Sequence, residues 1–116
     1  MKLVRIYSGD DGESHLDITD HTDLNYVERD GTRTAVQAVS GAQFAMREEG
    51  SFSDFHNAPR RQFMIYLTAT VEIGLGDGTS HIMEPGDVLL AEDTAGRGHS
   101  SRVLTGGMCA VIRIDP

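Results

Sequence analysis

Residues 62–92, QFMIYLTATVEIGLGDGTSHIMEPGDVLLAE, decide the fold class. Within them the apolar runs Gln62–Leu67, Val71–Leu75, His81–Met83 and Val88–Glu92 are cut apart by Gly76-Asp77-Gly78 and Glu84-Pro85-Gly86. Glycine and proline end regular structure, and an Asp-Gly pair tolerates the positive φ angles of a tight hairpin loop. Runs this short, bounded by turn chemistry, read as strands. The same texture extends outward in both directions. Ala35–Val39, Gln43–Arg47 and Phe52–Asn57 precede the stretch, and Ser100–Leu104 and Cys109–Ile114 follow it. The breaks are Ser40-Gly41, Glu49-Gly50, Ala58-Pro59, Gly96 to Gly98 and Gly106-Gly107. No window carries a helical period. The pattern predicts an all-β domain over residues 34–116, a sandwich or barrel.

Residues 1–33 have a different composition. A short strand, Leu3–Tyr7, leads into a stretch crowded with Asp10, Asp11, Glu13, Asp17, Asp20 and Asp23 among glycines and hydroxyl residues. This reads as an irregular, solvated lead-in. At 116 residues the chain fits one domain overall.

Eighteen acidic against ten basic residues give a formal net charge of −8. A field of that sign repels phosphate backbones and anionic headgroups, which argues against nucleic-acid and membrane-surface roles. No apolar run approaches the length of a membrane span, and the N-terminus lacks a signal-peptide core. With one cysteine, Cys109, the chain cannot close an internal disulfide, so the expected compartment is the cytoplasm. Cys109 reads as buried and inert, and Met46, Met64 and Met83 as core filler. Strand Gln62–Leu67 is apolar on both faces, with Phe63, Ile65 and Leu67 on one and Gln62, Met64 and Tyr66 on the other. A second apolar face calls for another sheet or another subunit, which points to a homodimer.

Five histidines are present. His15, His21 and His81 stand in or beside turns and read as surface groups. His56 and His99 lie in polar patches, His56-Asn57-Ala58-Pro59-Arg60-Arg61-Gln62 and Glu92-Asp93-Thr94-Ala95-Gly96-Arg97-Gly98-His99. An imidazole titrates near neutrality and suits a general acid or base. Arg60, Arg61 and Arg102 nearby are candidates to clamp a carboxylate or phosphate, although adjacent Arg60 and Arg61 must point to opposite faces of a strand. Met64 and Tyr66, on the Gln62 face, are the candidate apolar and phenolic contacts to a ligand. Glu92 and Asp93 are expected to pair with Arg97 and Arg102.

Two segments resemble the sequence motifs of cupins. Gly50, His56, Ala58, Gln62 and Ala69 follow the spacing at which the first cupin motif has Gly, His, His, Glu and Gly. Pro85-Gly86-Asp87, the run Val88–Ala91 and then His99 resemble the second motif, with two extra residues before the histidine. The likeness runs from about Gly41 to Ile114 and points to a group of small single-domain bacterial cupins with no settled activity. It implies a jelly-roll (double-stranded β-helix) barrel. It also implies a metal site of three histidines and a glutamate, onto which His56, Gln62 and His99 map, while Ala58 stands where a histidine would be. A divalent Fe, Mn, Zn or Ni held there would make a dioxygenase, isomerase or lyase. Two imidazoles and a neutral amide are a weak donor set. The alternatives are a metal-free acid–base enzyme using His56 and His99, and a non-catalytic module or sensor. The preferred expectation is a polar pocket that binds, and can transform, a small organic anion.

Overall fold

A computed structural model describes residues 1–114. Its strands are β1 (Lys2–Ser8), β2 (Ser14–Asp20), β3 (Tyr26–Glu28), β4 (Arg33–Thr34), β5 (Gly41–Arg47), β6 (Phe52–His56), β7 (Gln62–Tyr66), β8 (Thr70–Gly74), β9 (Ser80–Met83), β10 (Val88–Glu92), β11 (His99–Thr105) and β12 (Gly107–Arg113). A six-stranded sheet runs β2-β1-β10-β7-β12-β5 and a four-stranded sheet runs β6-β11-β8-β9, with β3 and β4 forming a separate ribbon. Within the large sheet only β1 and β10 are parallel. The all-β expectation holds. Among the described residues neither sheet closes on itself, so the architecture is two open sheets of sandwich or jelly-roll type rather than a closed barrel.

The core lies between the sheets. Val4, Ile6, Tyr66, Leu89, Ala91 and Cys109 of the large sheet meet Val71, Ile73, Met83 and Val103 of the small one. In the parallel pair, Val4 stands opposite Leu89 and Ile6 opposite Ala91, which keeps both inward sets in phase. Each fully buried valine-to-methionine side chain contributes about 1.5–3 kcal/mol, so this layer holds the sheets face to face.

Three expectations need correction. The acidic lead-in is not irregular throughout, because β2 pairs with β1 along its whole length and Leu16 packs on the core. Two of its carboxylates, Asp17 and Asp20, stand on this exposed edge strand, where charge is the usual protection against stray pairing. Conversely, Ala35–Val39 is not a strand. It has no strand partner among the described residues, and Val36 is 85% exposed, so β-branched residues alone do not hold an extended segment. Met83 is core and Met64 is partly buried, but Met46 is 82% exposed on β5. No helix among the described residues is long and apolar enough to cross a membrane.

The close approach of β6 to the loop before β11 depends on Gly98. Its φ is +79°, and a Cβ there would collide with the carbonyl of His56. Gly78 has a similar φ of +88° with open space around it. Gly78→Ala should therefore cost about 1 kcal/mol for the left-handed backbone alone, whereas Gly98→Ala should cost at least twice that. Thermal melts of the two variants check this ordering, and equal losses would show that the strands do not need the close contact.

Candidate functional site

β6 and β11 run antiparallel, and their register sets His56 directly opposite His99. The ring centroids are 4.7 Å apart with planes tilted by 54°. Farther along, Ser53 stands opposite Ser101 after a register shift that re-aims the strand. These four side chains line a cavity of about 120 Å3 between the sheets. Arg47, Gln62, Met64 and Tyr66 line it from the large sheet, with Ala58 and Pro59 from the segment that joins β6 to β7.

The two histidines are held differently. His56 Nδ1 lies 2.7 Å from the Asp54 carbonyl oxygen, which can only accept, so Nδ1 carries the proton and Nε2 of the neutral ring is bare. His99 Nδ1 lies 2.6 Å from Asp93 Oδ2, so this ring is also oriented through Nδ1, but by a carboxylate. Asp93 has no solvent exposure, and His99 is 6% exposed. Ser14 Oγ, from β2, donates to the same Asp93 oxygen at 2.8 Å, while Asp93 Oδ1 has no partner among the described residues. The loop carrying Asp93 is tied down from several sides. Asn57 Nδ2 donates to the Ala95 and Gly96 carbonyls, Ser8 Oγ donates to the Ala95 carbonyl, and the Arg97 amide donates to the Gly12 carbonyl. The turn of the lead-in thus forms the outer wall behind His99.

Arg47 is the guanidinium that lines this cavity. It contacts Met64 Sδ at 3.6 Å, and no salt bridge to it exists among the described residues. Its neighbours report the charge. Burial pushes the Cys109 thiol up, and Arg47 opposes that shift. Burial also pushes the Tyr66 phenol far above its usual value, so Tyr66 remains a protonated donor at any working pH.

The candidates from sequence therefore divide. His56, Gln62, Met64, Tyr66 and His99 converge on one cavity, whereas Arg60, Arg61 and Arg102 lie outside it. Arg61 Nε is 2.6 Å from Glu92 Oε2, and Arg5 Nε is 2.6 Å from Glu92 Oε1. Arg102 stacks on Phe52 at 4.6 Å, and Arg60 lines a separate open cleft with Ser40 and Arg113. The expected network of Glu92 and Asp93 with Arg97 and Arg102 is replaced by these pairs and by Arg97 with Glu13. His15 and His21 sit on the surface as expected. His81 is half-buried, and burial lowers its pKa. Arg47 and Ser14 were not singled out from sequence, and Asp93, expected to pair with an arginine, instead holds His99.

The residues present do not fit the metal set that the motif likeness implies. Ala58 lines the cavity where a third imidazole would stand, and Gln62 offers a neutral oxygen. The carboxylate nearest the histidines is engaged behind His99. Among the described residues, no group of three His, Cys, Asp or Glu side chains is placed to hold an ion. No family model matches the chain, and no curated protein gives a significant match to it.

Glu92 supplies a pH test of the surrounding frame. Burial pushes its carboxyl up, but the hydrogen bonds and charges of Arg5 and Arg61 outweigh that and hold it below its ordinary value of 4.5. A depressed folded-state value stabilises the fold above the unfolded value, and that contribution fades as the pH falls through the folded one. Glu92→Gln should thus be less stable than wild type at neutral pH by about 1 kcal/mol, given two half-exposed arginine partners. The gap should close on acidification, as read by thermal melts between neutral pH and acid. A gap that stays constant would exclude the ion pairs as its source.

Proposed function

We propose that this chain is a small cupin-type protein whose inter-sheet cavity binds a short-chain organic anion. The single observation that carries this reading is Arg47, a cation without a carboxylate partner among the described residues, lining a cavity otherwise built of histidines, serines, an amide and apolar walls. An arginine fork pairs with a carboxylate through two hydrogen bonds, and partial burial strengthens the pairing. The size of the cavity sets the ligand class. About 120 Å3 is well below the roughly 300–1,000 Å3 of pockets that take drug-sized ligands, so the occupant is small. Ser53, Ser101 and Gln62 can bond its remaining oxygens, and Met64 and Val71 can cover its carbon chain.

A panel of short carboxylates should raise the melting temperature in proportion to ln(1 + [L]/Kd). Losing a hydrogen bond to a charged group costs about 1.5–3 kcal/mol, so Arg47→Ala should weaken binding about tenfold to a hundredfold. Arg60→Ala should leave it unchanged. A flat response of wild type across the panel, or equal losses in the two variants, would overturn the reading.

A homodimer is proposed on a separate observation. On β5, Phe44 is 76% and Met46 82% exposed, and Met46 pairs across the strands with Met108, itself 37% exposed. Together with Ala42, Ala110 and Ile112, these give an uncharged face on a chain of net charge −8. A second copy can meet that face without bringing acid to acid, in an isologous contact. Light scattering should give a dimer mass for wild type and a monomer mass for a Phe44→Glu, Met46→Glu variant. A wild-type monomer at high concentration would refute it.

A further inference from the structure

The two histidines are not equivalent, and the difference deepens the anion-binding reading, on which the assignment of a proton-transfer role to them rests. His56 is backed by a neutral carbonyl and His99 by a buried carboxylate, so of the two adjacent rings His99 is the one oriented by a charged partner. Asp93 lines no part of the cavity and acts only through His99. A histidine whose Nδ1–H is held by a buried carboxylate presents a bare Nε2, the arrangement of an oriented general base. Arg47 lines the same small cavity, and so do hydroxyl, amide and phenol donors from Ser53, Ser101, Gln62 and Tyr66.

We infer that the cavity is a proton-transfer site for short-chain 2-oxo acids, with His99 as the catalytic base and Asp93 as its positioning residue. Such a ligand matches the cavity at three points. Its carboxylate takes Arg47, its 2-oxo oxygen takes the neutral donors, and its C3–H faces the histidine pair. His99 Nε2 removes a proton from C3. The electron pair of the broken C–H bond forms the C2=C3 double bond, and the carbonyl electrons move onto the 2-oxo oxygen to give an enolate. Return of the proton from Nε2 to C3 restores the keto acid. Nothing is oxidised or reduced, and no second reactant is consumed. The neutral donors stabilise charge where it develops, on the enolate oxygen, while Arg47 holds the carboxylate in both states. The burial of Asp93 and its bond from Ser14 keep the imidazole from rotating, which makes the N-terminal strand pair part of the site.

Exchange in D2O tests this without knowledge of the natural product. Pyruvate and 2-oxobutyrate are incubated with the protein, deuterium uptake at C3 is followed by proton NMR, and binding is measured in parallel by calorimetry. Wild type should bind both acids and accelerate uptake over buffer. Asp93→Asn and His99→Gln should each slow uptake by about a hundredfold or more with binding affinity changed less than about threefold, as expected for loss of an acid–base group. That split between turnover and affinity separates positioning from a merely structural role. If Asp93→Asn does not fold, His99→Gln alone decides. Binding without exchange would overturn the catalytic inference and leave the anion reading standing. Absence of binding would overturn both. Exchange unaffected by either variant would remove His99 and Asp93 from the chemistry.

Discussion

The hydrogen bond between Asp93 and His99 is the contact around which the rest of the site is arranged. A carboxylate with no solvent exposure is costly to bury, and an oxygen left without a partner adds about 1–3 kcal/mol to that cost. The surrounding fold offsets it by holding the acceptor in place. Ser14 reaches in from β2, the Ala58 amide donates to the Asp93 carbonyl, and Gly98 lets β6 come against the loop. Each of these ties comes from a different part of the chain. A loop held this way fixes the imidazole of His99 opposite that of His56, at the boundary between the two sheets.

The sheets themselves follow from patterning that the sequence displays openly. Strands β7 to β12 are short segments between glycine and proline turns, and their alternation matches the inward set that includes Val71, Ile73, Leu89, Ala91, Cys109 and Val111. Where alternation is weak, local patterning misleads. β2 is an edge strand carrying Asp17 and Asp20, and of its inward face only Ser14 and Leu16 are well covered, too few to stand out within a lead-in of six carboxylates. In Ala35–Val39 the residues favour a strand, but no neighbour supplies the hydrogen bonds that would make one.

The candidate site is half legible in the sequence. His56, Gln62 and His99 stand out by motif spacing, and the opposed register of β6 and β11 brings the histidines together. Arg47 is hidden by an inverted strand. In β5 the large apolar residues Phe44 and Met46 point outward, so the alternating position held by Arg47 faces the cavity, contrary to the rule that apolar residues face in. Asp93 is visible in the sequence as a charged group, but its pairing with His99 is hidden for another reason. Its role depends on burial and on the curl of a glycine-rich loop, neither of which spacing encodes, and its neighbour Glu92 instead points to Arg5 and Arg61. Sequence proximity ranks Arg60, Arg61 and Arg102 first, but adjacency along a strand says little about which face a side chain takes.

Everything proposed for the site requires that Asp93 fix the tautomer of His99 and leave its Nε2 free toward the cavity. Long-range proton–nitrogen correlation spectra of uniformly 15N-labelled protein measure this directly in the unliganded state, at a pH where the imidazoles are neutral. The expected result is a protonated Nδ1 and a bare Nε2 for His99, with the Nδ1 proton shifted downfield and slow to exchange. A His99 ring protonated at Nε2, or one interconverting freely between tautomers, would contradict it.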